Sequence, residues 1–140
     1  MTIRKILTFP DPKLREVAKE VTNFDSNLKQ LADDLLDTMY EFKGIGLAAI
    51  QIGVRKRIIV ADISEERREP HIFVNPKIKI LNENKKGGYD EGCLSIPGFY
   101  EEVIRPTQVE ISFQNLSGEN EKLIPEGLLG VVVQHETDHL

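Results

Sequence analysis

The sequence has no tryptophan, one cysteine and few aromatic residues, and each shortage excludes a class of protein. A single cysteine, Cys93, cannot form an internal disulfide, so a reducing compartment is expected. An aromatic content of 6% and 18 basic against 23 acidic residues argue against base stacking and against a broad basic face for nucleic acid. The longest apolar stretches, residues 44–54 and 127–133, are too short to span a bilayer.

The chain of 140 residues is 40% hydrophobic and 29% charged, with a net charge of −5, as expected for a globular protein. Residues 1–7 contain one basic pair but neither a long apolar run nor a small-residue cleavage site, so no signal or transit peptide is expected. The sequence contains no internal repeat and no linker that would divide it. We therefore expect one soluble domain over residues 1–140, located in the cytoplasm.

The clearest helix is predicted from about Ser26 to Lys43, with Ser26 or Asn27 as its N-cap and Gly44 at its end. Its apolar residues recur at intervals of three and four and form one face: Leu28, Leu31, Leu35, Met39 and Phe42. An early turn between two prolines precedes a second, shorter predicted helix, which is marked by three apolar residues: Leu14, Val17 and Ala18.

The middle of the chain is predicted to be β-structure. Alternating apolar and polar residues predict strands over residues 57–63, 72–81 and 109–113. Residues 115–118 have the composition of a hairpin turn that leads into 122–124. The order of helix, strands and helix indicates an α+β domain with helices packed against antiparallel sheet.

The last segment, residues 125–140, is ambiguous by pattern because it combines glycines with a run of valines, which are poor helix formers. Within it, however, His135 and His139 are four residues apart, with Glu136 directly after the first. On a helix, four residues turn by about 400°, so both imidazoles lie on one face, roughly 6 Å apart along the axis, and can bind one metal ion. Glu136 is rotated by about 100° and can reach a water beside the metal without being a ligand.

The alternative interpretation of this motif is an exposed polar helix end that merely contains two histidines. The residues before the motif are apolar, which predicts a largely buried helix: Leu128, Leu129, Val131, Val132 and Val133. Buried histidine and glutamate side chains need partners, and a metal ion supplies them. We therefore predict that the segment is a helix and that it carries a metal site.

A catalytic metal site usually has three protein ligands and one open position, so a third ligand is needed. His71 begins a predicted strand without a supporting motif, whereas Cys93 lies in a glycine-bounded segment, Glu91–Gly98. A lone intracellular cysteine is more often a small buried hydrophobe, so Cys93 does not decide the matter by itself. Gln51 lies in an apolar segment rich in small residues, where it either bonds to the backbone or donates to an oxygen that becomes negative during a reaction.

Three segments together resemble the motifs of peptide deformylases and occur in that family's order. In the family's motifs, written with h for an apolar residue and x for any residue, Gly44–Gln51 matches Gly-h-Gly-h-Ala-Ala-x-Gln. Glu91–Ser95 matches Glu-Gly-Cys-h-Ser. Gln134–His139 matches Gln-His-Glu-x-Asp-His. The opening segment Leu7–Arg15 is also similar to the family, so the resemblance covers the whole chain.

The resemblance implies an α+β fold in which antiparallel sheets surround the helix that carries the two histidines. It implies a catalytic metal, physiologically Fe(II) and often replaceable by Ni, Co or Zn, that is held by three residues: Cys93, His135 and His139. Glu136 would be the general acid and base, and Gln51 with the backbone N–H of Leu94 would bind the oxyanion.

The implied reaction removes the formyl group from formyl-methionine at the start of nascent polypeptides and releases formate. The ribosome near the exit tunnel is an implied partner, while sequence-specific nucleic-acid binding and membrane binding are not expected. Helix geometry adds an apolar pocket that would suit methionine, facing Ile45 and Gly46 and lined by residues one or two turns before His135: Leu128, Val131 and Val132. Core packing is the alternative role for those residues.

Arg105 is predicted to pair with Glu91 and so support the loop of Cys93, although a solvated surface arginine is the alternative. Some family members carry an arginine a few residues after the cysteine motif, where this chain has the sequence Gly-Phe-Tyr at 98–100. The last ligand is followed by one residue, Leu140. We therefore expect a catalytic domain truncated after the third motif, with reduced metal affinity and stability.

Two other functions compete with this one. The first is a zinc endopeptidase with the same His-Glu-x-x-His chemistry, although a third ligand from an upstream Glu-Gly-Cys loop is not the usual peptidase arrangement. The second is a truncated, inactive homologue that acts as a metal-holding or ribosome-associated binding protein. The presence of both Glu136 and Gln51 favours an enzyme, since holding a metal needs neither residue.

Overall fold

The apolar stripe in the first half of the chain forms helix α1, Ser26–Glu41, in the computed structural model of the protein. Four of its five predicted stripe residues are buried: Leu28, Leu31, Leu35 and Met39. The expected caps are wrong, because the N-cap is Asp25, whose side chain accepts from the Leu28 N–H at 3.1 Å. Phe42 follows the helix and is 49% exposed, and Lys43, at φ 58°, is the left-handed residue in place of Gly44.

The structure describes residues 3–8, 11–64, 66, 68–81, 86–93, 96–106, 108–125 and 127–140; for 15, 86–93 and 96–106 it describes the backbone alone. Within these residues, strands and a second helix follow α1: β1 Gly46–Ala48, β2 Ile58–Ala61, β3 His71–Ile80, β4 Lys86–Cys93, β5 Ile96–Pro106, β6 Val109–Gln114, β7 Asn120–Leu123 and α2 Leu128–Asp138. No helix in this described part is long and apolar enough to cross a membrane.

The strands form an antiparallel sheet in the order β1-β2-β3-β6-β7, beside a separate antiparallel pair, β4-β5. The predicted α+β class is thereby confirmed, as are the strands at β2, β3 and β6 and the hairpin turn before β7. Strands β1, β4 and β5 were not predicted from the sequence. The short early helix is also smaller than predicted, because only Pro12–Arg15 forms a 3-10 turn and the backbone is extended at Glu16.

Side chains of β2 alternate between two cores on opposite faces of the large sheet. Ile58 and Val60 belong to the core that contains the buried stripe of α1. Ile59 and Ala61 belong to a second core, which contains Val132 and other residues of α2. We call these the α1 core and the α2 core. The sheet therefore lies between the two helices, and α2 packs against β1, β2 and β3.

One carboxylate on α1, Asp34, is buried with 2% exposure and has its partners near the start of the chain. It accepts from Arg4 Nε at 3.1 Å and from Gln30 Nε2 at 2.8 Å. The Arg4 backbone N–H also donates to Thr38 Oγ1 at 2.8 Å. These bonds attach the N-terminal segment to α1 and satisfy a charge whose burial would otherwise be costly.

Candidate active site

Helix α2 forms in spite of its glycines because both have a structural use. Gly127, the N-cap, has φ 57°, a left-handed conformation that glycine adopts without a steric penalty. Gly130 is buried, and a Cβ there would lie 3.3 Å from the backbone oxygen of Pro125. Glycine thus lets the helix approach the segment that precedes it. The predicted helix for the last segment is confirmed.

His135 in α2 and His139 at its C-cap point their Nε2 atoms at each other, 3.3 Å apart, with ring centroids 5.1 Å apart and ring planes at 70° to each other. Two nitrogens bound at about 2.0–2.1 Å to one tetrahedral metal ion would be roughly 3.3–3.4 Å apart. A hydrogen bond between the rings is the other use of such a separation, with its direction set by the tautomer. His135 and His139 therefore fit two positions of a divalent-metal site.

Glu136 lies between the histidines in sequence and turns toward strand β1. It is 5% exposed, and a Cβ on Gly46 would lie 2.9 Å from both its Cγ and its Oε1. The same Cβ would lie 2.7 Å from Val132 Cγ1. The carboxylate and Val132 thus pack directly on the backbone of Gly46, which leaves no room there for a side chain. A carboxylate in such a position can take and return a proton near the histidine pair.

Gln51 is 1% exposed and lies in the 3-10 turn Ala49–Ile52, directly after β1. Its Oε1 accepts from the Ala48 N–H at 2.9 Å. The structural role weighed from the sequence, a bond to backbone, is therefore present. Since the bond engages the amide oxygen, the NH₂ end of the side chain is the end that can donate to another group.

The third predicted ligand belongs to the β4-β5 pair. Cys93 is the last residue of β4 and pairs with Ile96, while its side chain and all of Leu94 lie outside the described residues. Among the described side chains, no group of three histidine, cysteine, aspartate or glutamate residues could hold a metal. The described part thus brings together the histidine pair, and the contribution of Cys93 stays a prediction.

The predicted pocket residues divide into a packed group and an exposed group. Val131 and Val132 are each 5% exposed, and Val132 contacts Gly46 as described. Ile45 and Leu128 are 37% and 46% exposed, so both offer apolar surface to a ligand. The packing of Val132 on Gly46 places α2 against the segment that contains Ile45, and the substrate pocket stays a prediction.

The predicted pair of Glu91 and Arg105 lies outside the described side chains, but the backbone register limits it. Glu91 pairs with Glu101, and Arg105 pairs with Gly87, four positions along the ladder. At about 3.3 Å per residue, that offset is roughly 13 Å. A direct ion pair would require both side chains to extend along the strands, and the pairing stays a prediction.

His71, considered from the sequence as a ligand, lies at the start of β3 and stacks on Phe73. Their ring centroids are 5.9 Å apart and their planes differ by 3°. No described group of potential metal ligands includes His71. His71 is therefore a partly buried side chain on the sheet that packs against Phe73.

Sequence reasoning missed Asp62, a buried carboxylate that directly follows β2. It accepts from Tyr40 Oη at 2.6 Å, from Ser64 Oγ at 2.5 Å and N at 2.9 Å, and from Glu69 N at 3.2 Å. Its backbone N–H donates to Ile45 O at 2.9 Å. The only sequence signal is an aspartate followed two residues later by serine at the end of an apolar strand, which is typical of an Asx turn.

These contacts set the charge state of Asp62. Burial alone raises the pKa of the Asp62 carboxyl, but hydrogen bonds from Ser64, Tyr40 and the backbone N–H groups of Ser64 and Glu69 outweigh it, so the pKa is lowered. The native state therefore favours the charged carboxylate more than the unfolded chain does. Its stabilising contribution is present above the unfolded pKa of about 3.9 and is lost as the pH falls through the native pKa.

We expect the difference in free energy of unfolding between the wild type and Asp62→Asn to be largest near neutral pH and to shrink below about pH 4. The reason is that protonation removes from the wild type the same charge that asparagine lacks. Urea unfolding at a series of pH values measures this difference. A difference that stays constant from neutral to acid pH would contradict the assigned charge.

Comparisons with known proteins agree on one family. A family model described as polypeptide deformylase matches residues 3–140. A protein named peptide deformylase from Cellvibrio japonicus is 51% identical over 140 residues, which span all of this chain and 82% of that protein. The crystal structure of a peptide deformylase from Legionella pneumophila is similar with a TM-score of 0.92 at 43% identity, covering 99% of this chain and 80% of that one. The structure from Thermotoga maritima has a TM-score of 0.94 at 38% identity, covering 100% and 92%.

Proposed function

The chain belongs to the peptide deformylase family, and from that premise we propose how its own residues perform the reaction. It is a hydrolase that removes the N-formyl group from the formyl-methionine of nascent polypeptides. The observation that carries the assignment of roles is the geometry of α2, where two imidazole nitrogens lie 3.3 Å apart and the residue after the first histidine, Glu136, is buried. The family's enzymes use a metal ion, and the donor atoms on α2 suit one.

His135, His139 and Cys93 would hold one divalent cation, with Fe(II) as the proposed metal and Ni, Co or Zn as substitutes. Two imidazoles and a thiolate form a ligand set that divalent transition metals accept. The cation would supply Lewis acidity, polarising the formyl carbonyl and making water a stronger nucleophile. The 3.3 Å separation of the Nε2 atoms supports this assignment.

Glu136 is the proposed general acid and base. Its carboxylate takes a proton from the attacking water and then delivers a proton to the amine that leaves with the peptide. The packing of Glu136 on Gly46 supports this role, because a buried carboxylate packed on the backbone acts from a restricted position. The products are formate and a peptide with a free amino group.

Gln51 and the backbone N–H of Leu94 are the proposed donors to the oxygen that becomes negative. The amide oxygen of Gln51 is already bonded to the Ala48 N–H, which directs the amide so that its NH₂ can serve as the donor. A donor held by the fold stabilises the developing charge more effectively than water does. The buried position of Gln51 supports this role.

The methionine side chain would bind in an apolar pocket between α2 and the segment that begins β1. The proposed lining is Ile45, Gly46, Leu128, Val131 and Val132. Exposure of Ile45 and Leu128 beside buried Val131 and Val132 supports an apolar surface that a ligand could cover. Glu91 and Arg105 are proposed to support the loop of Cys93. The ribosome near the exit tunnel is the proposed partner that presents the substrate. The proposed location of the protein is the cytoplasm.

Formate release from formyl-Met-Ala, with Fe(II) supplied under anaerobic conditions, tests the function. Exclusion of oxygen matters because a thiolate ligand is open to oxidation. We expect formate and free Met-Ala in equal amounts, and no cleavage of internal peptide bonds. Cleavage of internal bonds would favour a zinc endopeptidase, and metal binding without formate release would favour an inactive metal-holding homologue.

Replacing His139 with alanine is expected to abolish tight metal binding. The loss should exceed the roughly 10–100-fold cost of removing a ligand's hydrogen-bond partner, because a ligand itself is removed. Metal content after dialysis against a weak chelator measures this effect. His71→Ala is the matched control, since that ring stacks on Phe73, and it should keep the metal. Equal metal loss in both variants would contradict the proposed ligands.

A further inference from the structure

The segment proposed to bind the substrate is held in place by a network centred on Asp62. The β1–β2 ladder pairs Gly46 with Ala61, and the bond from the Asp62 N–H to Ile45 O, at 2.9 Å, extends that ladder by one residue. Ile45 is 37% exposed, whereas the next residue, Gly46, is buried beneath Glu136 and Val132. The bond to Asp62 therefore holds the chain at the point between the exposed residue Ile45 and the buried residue Gly46, which packs against α2.

The position of Asp62 is in turn fixed by bonds from two separate parts of the fold. Tyr40, near the end of α1, donates its hydroxyl to Asp62 Oδ2 at 2.6 Å. On the other side, Ser64 and the Glu69 backbone N–H bond the same carboxylate, at 2.5–3.2 Å. Asp62 is 0% exposed. A charge-assisted network of this kind is stronger than neutral hydrogen bonds and tolerates little displacement.

We propose that Asp62 is a positioning residue, which acts through its backbone bond to Ile45 to hold Ile45 and Gly46 against Glu136 and the bound substrate. This inference rests on the proposed function, in which Ile45 and Gly46 contact the substrate. Asp62 itself touches no reacting atom. The loss of its side-chain anchors lets residue 62 shift, and the shift passes to Ile45 through the ladder bond.

Asp34 offers a matched control, because it is also an aspartate buried with hydrogen-bond partners. Within the described residues its side chain bonds to Arg4 in the N-terminal segment and to Gln30 on α1, and not to Ile45 or Gly46. A purely structural role for Asp62 would make the two aspartates equivalent in kinetics. If Asp62 is a positioning residue, replacing either aspartate should lower the melting temperature, but only the replacement of Asp62 should change KM.

The test uses the full chain with Fe(II), formyl-Met-Ala as substrate, and four variants: Asp62→Ala, Asp62→Asn, Tyr40→Phe and Asp34→Ala. Misplaced binding groups can cost about 10²-fold in rate, so we expect Asp62→Ala to lower kcat/KM by about 10–100-fold, mainly through KM. Asp62→Asn should recover part of this loss because its one side-chain oxygen can still accept from Ser64. Tyr40→Phe, which keeps the ring packing, should raise KM to a smaller extent, and Asp34→Ala should leave KM unchanged.

Amide hydrogen exchange provides a readout that does not depend on activity. Exchange in a peptide covering residues 44–48 should be faster in Asp62→Ala and Tyr40→Phe than in the wild type, and unchanged in Asp34→Ala. Equal KM and equal exchange in the wild type and the Asp62 variants would overturn the proposal, as would an equal rise of KM in Asp34→Ala. If the wild type itself releases no formate, the proposed function fails, while the exchange comparison still decides whether Asp62 holds this segment.

Discussion

Replacing Glu136 with glutamine is expected to lower kcat for formyl-Met-Ala by about 10²–10⁴-fold, the usual contribution of a general acid–base group. Glutamine has nearly the same shape as glutamate, so the packing on Gly46 is preserved while the ability to take a proton is lost. Steady-state formate release measures the effect. KM should change little, because the formyl-methionine side chain would bind to other residues.

Two controls make this result specific. Metal content should stay the same in Glu136→Gln, since Glu136 is not a proposed ligand, which separates the loss of the base from the loss of the metal. Glu121→Gln, an exposed position on β7, removes the same charge elsewhere and should leave kcat unchanged. If Glu136→Gln kept wild-type turnover, another group would have to be the base.

Replacing Gly46 with alanine should damage both the fold and the reaction. The new Cβ would lie 2.7 Å from Val132 Cγ1 and 2.9 Å from the Cγ and Oε1 of Glu136, closer than real Cβ contacts allow. Overpacking of this kind typically costs about 1–3 kcal/mol of stability. Displacement of a catalytic carboxylate by about 1 Å can cost roughly 10²-fold in rate. Urea unfolding and formate release measure the two effects separately.

A double variant separates the two contacts of that added methyl group. Val132→Ala removes the methyl groups that Gly46→Ala would meet, but it leaves the contact with Glu136 in place. We expect Gly46→Ala combined with Val132→Ala to regain part of the stability and little of the activity. Recovery of both stability and activity would show that Val132 alone limits the space beside residue 46. It would also show that Glu136 can shift without loss of activity.

The sequence predicts the parts of this fold in which local chemistry decides the structure. The stripe of α1 has the period of a helix, and the apolar and polar residues of β6 alternate with the period of a strand. The predicted N-cap of α1 was wrong because Asp25, Ser26 and Asn27 are all residue types that favour the N-cap position. The choice among them depends on which side chain reaches the Leu28 N–H. Strands β4 and β5 were missed because their glycine-rich and charged sequence lacks clear alternation.

The site shows the same division between local and distant signals. His135 and His139 are recognisable because a helix brings residues four positions apart to one face, and Glu136 is recognisable because it directly follows the first histidine. The need for glycine at position 46 was visible only as a preference for small residues, since the clash involves a helix about 90 residues further along the chain. Asp62 was missed because its local signal, a serine two residues later, indicates only a turn, and Tyr40, 22 residues away, meets it only in the folded chain.

The placement of the two cores on opposite faces of the sheet has a consequence for how this enzyme can be altered. Chemistry is assigned to α2 and the strand beneath it, whereas the α1 core contains none of the proposed site residues. Substitutions among Leu28, Leu31 and Leu35 are therefore expected to change the melting temperature without changing kcat. Tyr40, on that helix, donates a hydrogen bond to Asp62, and a repacking programme should leave it untouched.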